Sequence, residues 1–329
     1  MIPQETGRSW VGIVANQNSG VGLGRHRVAK LEQALTLAGL RGEVAWTTED
    51  RTKLVRRAQN DPACKCLVAV GGDGTVSALL NEHPNVPVTV FPAGTENLVA
   101  QQFGLRRNAG TLATIIAQGH PRRVDLGSAN GRRFLLMVGF GFDGDIVSRH
   151  HRARLSRLGR IRPTSRLAYV LPLLRSSFSY KFPTINVRIE NQGVPELLSG
   201  TTVFIFNAPR YALGLPFVPH ARDDDGWLDL LIFRDPGPFK ALYYLWKVFW
   251  GTHLGLPSVF HRRVKSAFVT ASGTVPIQID GDPGGVLQEN AEAGVPDSGA
   301  GVREGTAAGW TVEIVPQALE VYAPQPKRV

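Results

Sequence analysis

In the first third of the chain, hydrophobic residues come in short unbroken blocks: Val11 to Ala15, Leu67 to Val70 and Val88 to Phe91. Between the blocks, apolar residues return every three or four positions among charged ones. An unbroken run of this length reads as a strand covered on both faces, and the looser spacing reads as a helix with one buried stripe. The pattern predicts strands over 11–15, 43–47, 67–70 and 87–91, with helices over 25–38, 51–59, 76–82, 96–102 and 109–118. This is the alternating rhythm of a parallel sheet flanked by helices. Near residue 125 the pattern changes to short β-rich runs separated by Gly, Pro and Asp turns: 134–138, 185–189, 202–206, 228–233, 267–271, 275–279 and 311–315. Runs of that kind predict an antiparallel sandwich. The expected fold is an α/β N-terminal domain with a parallel sheet, residues 1–124, and a β-rich antiparallel sandwich domain, residues 125–316.

Two of the predicted strands run directly into glycine turns. The first is Gly71-Gly72-Asp73-Gly74-Thr75, and the second is Pro92-Ala93-Gly94-Thr95. Without Cβ atoms these loops turn sharply and bring backbone N–H groups close to a ligand, and a helix N-terminus behind such a loop attracts anions. A lone Gly-Asp-Gly is most simply a tight turn. Two such turns, each following an apolar strand, place both loops at the carboxyl ends of one sheet, where open α/β folds bind ligands. No GxxxxGK[ST] is present, which excludes a P-loop NTPase.

Composition adds one strong signal. The chain has 329 residues, 43% of them hydrophobic, and a formal net charge of +10, which calls for an anionic partner. From Ile146 to Ile189 there is no Asp or Glu, while Arg149, Arg152, Arg154, Arg157 and Arg160 alternate with Leu155, Leu158 and Ile161. This is a basic amphipathic stretch, suited to an anionic bilayer surface, unless its leucines face the core and its arginines are solvated. The lack of interleaved aromatic residues before Tyr169 argues against nucleic acid. Pro238 to Trp250 is a second apolar candidate, for core packing or for a lipid interface through Tyr243, Tyr244, Trp246 and Trp250. Cys64 and Cys66 read as buried or edge thiols, since a lone CxC lacks a second pair for a metal. No apolar signal-peptide core and no uncharged run of membrane-spanning length occur, so the expectation is a cytoplasmic protein peripherally attached to the inner face of the membrane. The Gly-, Ala- and Pro-rich segment 283–309 reads as a mobile insertion.

The pattern GGDGT followed by P-x-GT-x-N resembles the diacylglycerol kinase catalytic-domain family of lipid kinases, which is distantly related to NAD kinases. The likeness extends to Asn16-Gln17-Asn18-Ser19-Gly20 after the first strand, to Ala221 to Asp229 (ARDDDGWLD), and to Asp280-Gly281-Asp282, where the family has Asp-Gly-Glu. The resemblance implies a kinase with its active cleft between two domains and a C-terminal segment, 317–329, that returns to the first domain. It implies ATP bound by Asn16, Gln17, Asn18, Ser19, Gly20, Thr48, Gly71, Gly72, Asp73, Gly74, Thr75, Val76, Ser77, Ala78, Gly94, Thr95 and Asn97. Asp73 would help hold catalytic Mg²⁺, and a second, structural Mg²⁺ would sit on Asp225 and the backbone of Arg222 and Trp227. The family's general base falls on Asp282, an aspartate in place of glutamate, with Asp280 as the fallback.

Some positions depart from the family. Ser77-Ala78 stand where Asn-Glu is common, and Glu96-Asn97-Leu98 where Gly-Asn-Asp is common. A glutamate near phosphates is repulsive unless it binds metal or turns away. The reading is an ATP- and Mg²⁺-dependent transferase of lipid metabolism and phospholipid biosynthesis that phosphorylates a hydroxyl of a diacylglycerol-like or other long-chain lipid. The alternatives are an NAD kinase and a non-catalytic lipid- or membrane-binding module. A homodimer is left open.

Overall fold

The computed structural model describes residues 9–16, 24–94, 96–156, 179–191, 193–209, 211–212, 214–289, 306–307 and 309–324. The chain divides into two compact units, Met1–Val124 with Gln317–Val329, and Asp125–Pro316.

The first unit is the α/β half. Strands β1 (Trp10–Ala15), β2 (Arg41–Ala45), β3 (Cys64–Gly71) and β4 (Val88–Pro92) form a parallel sheet in the order β2-β1-β3-β4. β1 and β4 are buried at every position, because helices cover both faces of a parallel sheet. The helices are α1 (Gly24–Leu37), α2 (Thr48–Asn60), α3 (Asp73–Leu80), α4 (Leu98–Gln102) and α5 (Ala109–Gln118). Side chains set their starts: Thr47 caps α2 by accepting the Asp50 N–H, and Asn108 caps α5 by accepting that of Thr111. Cys64 and Cys66 are free and buried in β3, and burial pushes the Cys64 thiol up to about 11.

The second unit is a sandwich built from β5 (Arg122–Ala129), which begins at the unit boundary, to β17 (Trp310–Val321). The intervening strands are β6 (Arg132–Phe134), β7 (Met137–Gly141), β8 (Ile185–Asn191), β9 (Val194–Gly200), β10 (Thr202–Phe206), β11 (Leu228–Phe233), β12 (Val259–Val264), β13 (Ser266–Ala271), β14 (Val275–Ile279), β15 (Asp282–Leu287) and β16 (Thr306–Ala307). One layer runs β12-β11-β10-β7-β14-β15-β16, and the other runs β17-β13-β8-β9. Alternate residues point inward from both layers: Ile185, Val187 and Ile189 of β8 meet Leu228, Leu230 and Ile232 of β11 in one core with Phe134, Phe140 and Ile277. The intervening residues of β11 are buried too, and α7 (Pro238–Phe249) lies over them, with Tyr244 4.8 Å from the Phe233 ring. α6 (Phe142–Ser156) follows β7. The last residues of β17 pass into the first unit, where Val321 pairs parallel with Val88 and Thr89 Oγ1 donates to the Tyr322 carbonyl at 2.7 Å.

Beyond the strands β5, β9 and β12, which the pattern did not predict, three differences bear on the site. The expected strand 134–138 is two strands, because the N–H groups of Leu135, Leu136 and Met137 leave the ladder and donate to the Asp280 carboxylate at 2.8, 2.8 and 3.0 Å. The segment read as an insertion from residue 283 is an ordered strand, β15, up to Leu287, and residues 290–305 lie outside the described residues. Of the basic stretch, the part up to Ser156 is α6, where Arg149 is tied to Asp145 at 2.6 Å; the side chains of 153–178 lie outside the described residues.

Asp280 thus satisfies three donors that would otherwise be buried without partners. An amide in its place retains one acceptor oxygen and turns an NH₂ group toward these donors, and a buried unsatisfied donor costs about 1–3 kcal/mol. Asp280→Asn should lower the unfolding free energy by about 2–4 kcal/mol in urea titration, with an unchanged denaturant slope. A midpoint equal to that of the unmodified protein would show that these bonds do not hold β6 to β7.

Candidate active site

All four parallel strands of the first unit end on the same edge of the sheet. Asn16, Thr48, Gly71 and Gly94 therefore begin segments that emerge there. The chain leaves β1 toward β2 on one side and leaves β3 toward β4 on the other, so the order reverses between β1 and β3, where α/β sheets open a ligand crevice.

Two glycine loops meet at this edge. The Gly71 carbonyl accepts the N–H groups of Ala93 (2.8 Å) and Gly94 (3.2 Å), which ties the second loop to the first. The approach is so close that a Cβ on Gly94 would lie 2.5 Å from the Gly72 Cα, and one on Gly71 would lie 2.1 Å from the Thr75 Oγ1. Gly72 caps α3 without a side-chain acceptor. Asn97, in left-handed conformation (φ 52°), closes the second loop: its Oδ1 accepts the Gly94 N–H and its Nδ2 donates to the Gly94 carbonyl, both at 2.8 Å. The Asp73 carboxylate reaches across from the first loop and accepts the N–H groups of Leu98 and Val99 at 3.0 Å, so it caps α4.

Two arginines that carry no sequence motif fix the second loop from outside. Arg27 of α1 donates to the Ala93 carbonyl at 2.6 Å, and Arg107 donates to the Pro92 carbonyl at 2.9 Å. Partial burial, and then the neighbouring Arg107, hold the Arg27 guanidinium below its ordinary value. Asn16, Thr48, Gly71 to Thr75, Gly94 and Asn97 thus belong to one edge of the sheet, whereas Val76 and Ser77 are buried in α3. Gln17, Asn18, Ser19, Gly20 and Thr95 lie outside the described residues. Glu96 is half-buried, and its carbonyl accepts from Gln101.

In the second unit, Asp280-Gly281 is the two-residue turn between β14 and β15, with φ of 50° and 85°, the positive pair that a tight hairpin requires. Gln278 Oε1 accepts the Gly281 N–H at 2.8 Å. The Asp280 carboxylate is 3% exposed and committed to its three N–H donors, which disfavours it as a proton acceptor. Asp282, half-buried, is the first residue of β15.

Beside this turn lies an aspartate the sequence did not single out. Asp143, near the start of α6, is half-buried with its Oδ2 shielded from solvent; it is hydrogen-bonded to Gln278 and Tyr211, and that oxygen has no partner among the described residues. Burial pushes its carboxyl up to about 7, more than the two hydrogen bonds pull it down. Nothing in a single sequence distinguishes it from Asp145, two residues on, which pairs with Arg149.

The acidic turn Asp223-Asp224-Asp225-Gly226 is tied to Asp125, whose N–H donates to the Asp223 carbonyl (2.7 Å) and whose Oδ2 accepts the Gly226 N–H (2.6 Å). The resemblance made Asp225 a ligand of structural Mg²⁺. Three carboxylates and turn carbonyls are the right donor type for a hard cation. The Asp225 carboxylate, however, accepts the Trp227 N–H (3.1 Å) through Oδ1 and Arg263 (2.6 Å) through Oδ2. Arg263 thus already partners one oxygen of the carboxylate that the resemblance assigns to the ion.

The buried carboxyl of Asp143 makes stability depend on pH. Its folded value lies above the ordinary 3.8, so the native state binds more protons than the unfolded chain between about pH 4 and 7. Stability from this group is fully present below the lower value and is lost as pH rises through the upper one, by roughly 4 kcal/mol at about 1.4 kcal/mol per unit. Asp143→Asn should therefore raise the melting temperature more at pH 8 than at pH 5. An equal change at both pH values would show that Asp143 is ionised throughout.

Comparison with known proteins agrees with this architecture. The family model of the diacylglycerol kinase catalytic domain matches residues 11–129, and that of the YegS C-terminal NAD kinase beta sandwich-like domain matches residues 137–323. A diacylglycerol kinase of Staphylococcus carnosus is 25% identical over 286 residues, covering 84% of this chain and 90% of its own. One of Mycobacterium tuberculosis is 30% identical over 225 residues, covering 66% and 70%. The crystal structure of a diacylglycerol kinase from Bacillus anthracis superimposes with a TM-score of 0.63 at 18% identity, over 98% of this chain and 99% of that one, and shows the same fold. With both family models matched in sequence order along the two halves of the chain, the protein belongs to the diacylglycerol kinase catalytic-domain family.

Proposed function

We propose that the chain is an ATP-dependent lipid kinase that phosphorylates a hydroxyl of a diacylglycerol-like or other long-chain lipid. The observation that carries this reading is the cradle of two glycine loops, backbone against backbone at the carboxyl edge of the parallel sheet, where Cβ atoms would collide. Such a cradle suits a polyphosphate, since it offers backbone N–H groups with no side chains in the way. Arg27 and Arg107 lock the second loop and add positive charge beside it.

When bound, ATP with its Mg²⁺ supplies the transferable phosphoryl group and offsets charge on the phosphates. The chain supplies binding and proton transfer. The loops hold the phosphate oxygens, Asp73 fixes the α4 end of the cradle, and Asp282 takes the proton of the attacking hydroxyl. Asp73 ligation of Mg²⁺ belongs to the same proposal and shares its carboxylate with two N–H donors. No helix among the described residues is long and apolar enough to cross a membrane, which fits an enzyme that visits a lipid surface. Attachment to an anionic bilayer from the cytoplasmic side is part of the proposal.

The deciding measurement is transfer of labelled phosphate from ATP into a total lipid extract, with NAD tested alongside. Label in NAD alone would establish an NAD kinase, and label in neither would leave a binding module. Asp282→Asn should lower turnover by roughly 10²–10⁴-fold with nucleotide affinity nearly unchanged, the usual range for a lost general base. Near-normal turnover would move the base elsewhere. Gly94→Ala should weaken ATP binding by tenfold or so, because the loops must separate by a few tenths of an ångström or more to admit the methyl group. Unchanged affinity in calorimetry would show that ATP does not use this cradle.

A further inference from the structure

α7 has a buried side and an exposed side, and the exposed side is aromatic. Tyr244 and Val248 pack inward, Tyr244 against Phe233. Phe239, Tyr243, Trp246 and Trp250 follow one another at spacings of four, three and four, which aligns them on one face of the helix. Their exposures are 77%, 39%, 55% and 63%, and Phe249 beside them is 63% exposed. A stripe of four large rings left in water is costly unless something covers it.

We infer that this stripe is the surface through which the protein docks on an anionic lipid bilayer. Charge selects the occupant. Pro238 to Trp250 contains no Asp or Glu, and the Lys247 ammonium lies 5.2 Å from the Trp246 ring and 5.6 Å from the Tyr243 ring, at the margin of the stripe. Lys240 flanks the same side and is shared with Asp235 at 3.0 Å. Rings with an apolar body and a polar edge, fringed by ammonium groups, match the headgroup level of a membrane, where tryptophan and tyrosine concentrate. A second copy of the chain is the less favoured occupant, because each copy carries a net charge of +10 and would bring lysines against lysines. The helix has 12 residues, about 18 Å at 1.5 Å per residue, too short to span a bilayer but long enough to lie in its surface.

The inference rests on the lipid-kinase reading only for its purpose, and binding is measured without ATP. The unmodified chain should sediment with vesicles of mixed phosphatidylglycerol and phosphatidylcholine, less so as salt rises, and weakly with phosphatidylcholine alone. The triple variant Phe239→Ser, Trp246→Ser, Trp250→Ser should lose roughly tenfold or more of that partitioning, since binding scales with the apolar area inserted. Because all three side chains are exposed, the melting temperature should not fall, and Lys247→Gln provides a milder variant with a reduced salt dependence. Brominated lipid should quench tryptophan fluorescence of the unmodified chain and not of the triple variant. Equal sedimentation of the two proteins overturns the inference. So does a dimer that falls apart in the triple variant while vesicle binding persists. Lipid phosphorylation in detergent micelles separates this outcome from the proposed function: the triple variant should phosphorylate lipid there as fast as the unmodified chain. If neither does, the kinase reading fails while the docking result stands.

Discussion

Three backbone N–H groups, those of Leu135, Leu136 and Met137, leave the sheet at the junction of β6 and β7, and the Asp280 carboxylate takes all three. Buried donors without acceptors are nearly absent from folded proteins, so this junction can exist only where an acceptor of that capacity reaches it. Asp280 reaches it because the Asp-Gly pair turns with two positive φ angles, and the same turn makes Asp282 the first residue of the returning strand. The other side of the junction is held by Asn207, which donates to the Leu135 and Asp125 carbonyls. One carboxylate therefore connects the layout of the sandwich with the position of the residue proposed as base.

The first unit uses the same device in miniature. Asp73 accepts the leading N–H groups of α4, and in doing so joins the loop after β3 to the loop after β4. Once the Gly71 carbonyl also takes the Ala93 and Gly94 N–H groups, no space remains for a side chain between the loops. Glycine at 94 is then a packing requirement, while a Cβ at Gly72 would sit tightly, 3.3 Å from the Gly94 Cα. Arg27 and Arg107 add hydrogen bonds to the Ala93 and Pro92 carbonyls and so fix the second loop further.

The alternation of apolar blocks in the first third was sufficient to find every strand and helix of the α/β unit, because strands buried on both faces write an unbroken signal. In the sandwich, β9 was invisible since its exposed edge carries Val194 and Leu197 out of pattern, and β15 was hidden by its Pro-Gly-Gly composition. Asp73, Gly72 and Gly94 were legible as loop residues from the motif alone. Arg27, Arg107 and Asp143 were not, because each acquires its role from a neighbour distant in sequence: Ala93, Pro92 and Gln278. The exposed face of α7 was ambiguous for a different reason. Its sequence is apolar nearly all round, and only the packing of Tyr244 and Val248 decides which side meets the core.

The acidic turn has to be read together with the cations packed around it. Asp223, Asp224 and Asp225 in succession look like a site waiting for a divalent ion, yet the chain brings its own counterions. Arg222 pairs with Asp224 at 3.0 Å, and Arg263, opposite Asp229 in the β11–β12 ladder, pairs with Asp225 at 2.6 Å. Two of the three carboxylates are thereby compensated by fixed cations, and the Gly226 N–H is held by Asp125. A metal entering here would have to displace a guanidinium from a carboxylate that it already binds, so its net contribution is the difference between two charge pairs and not the full attraction of an open site.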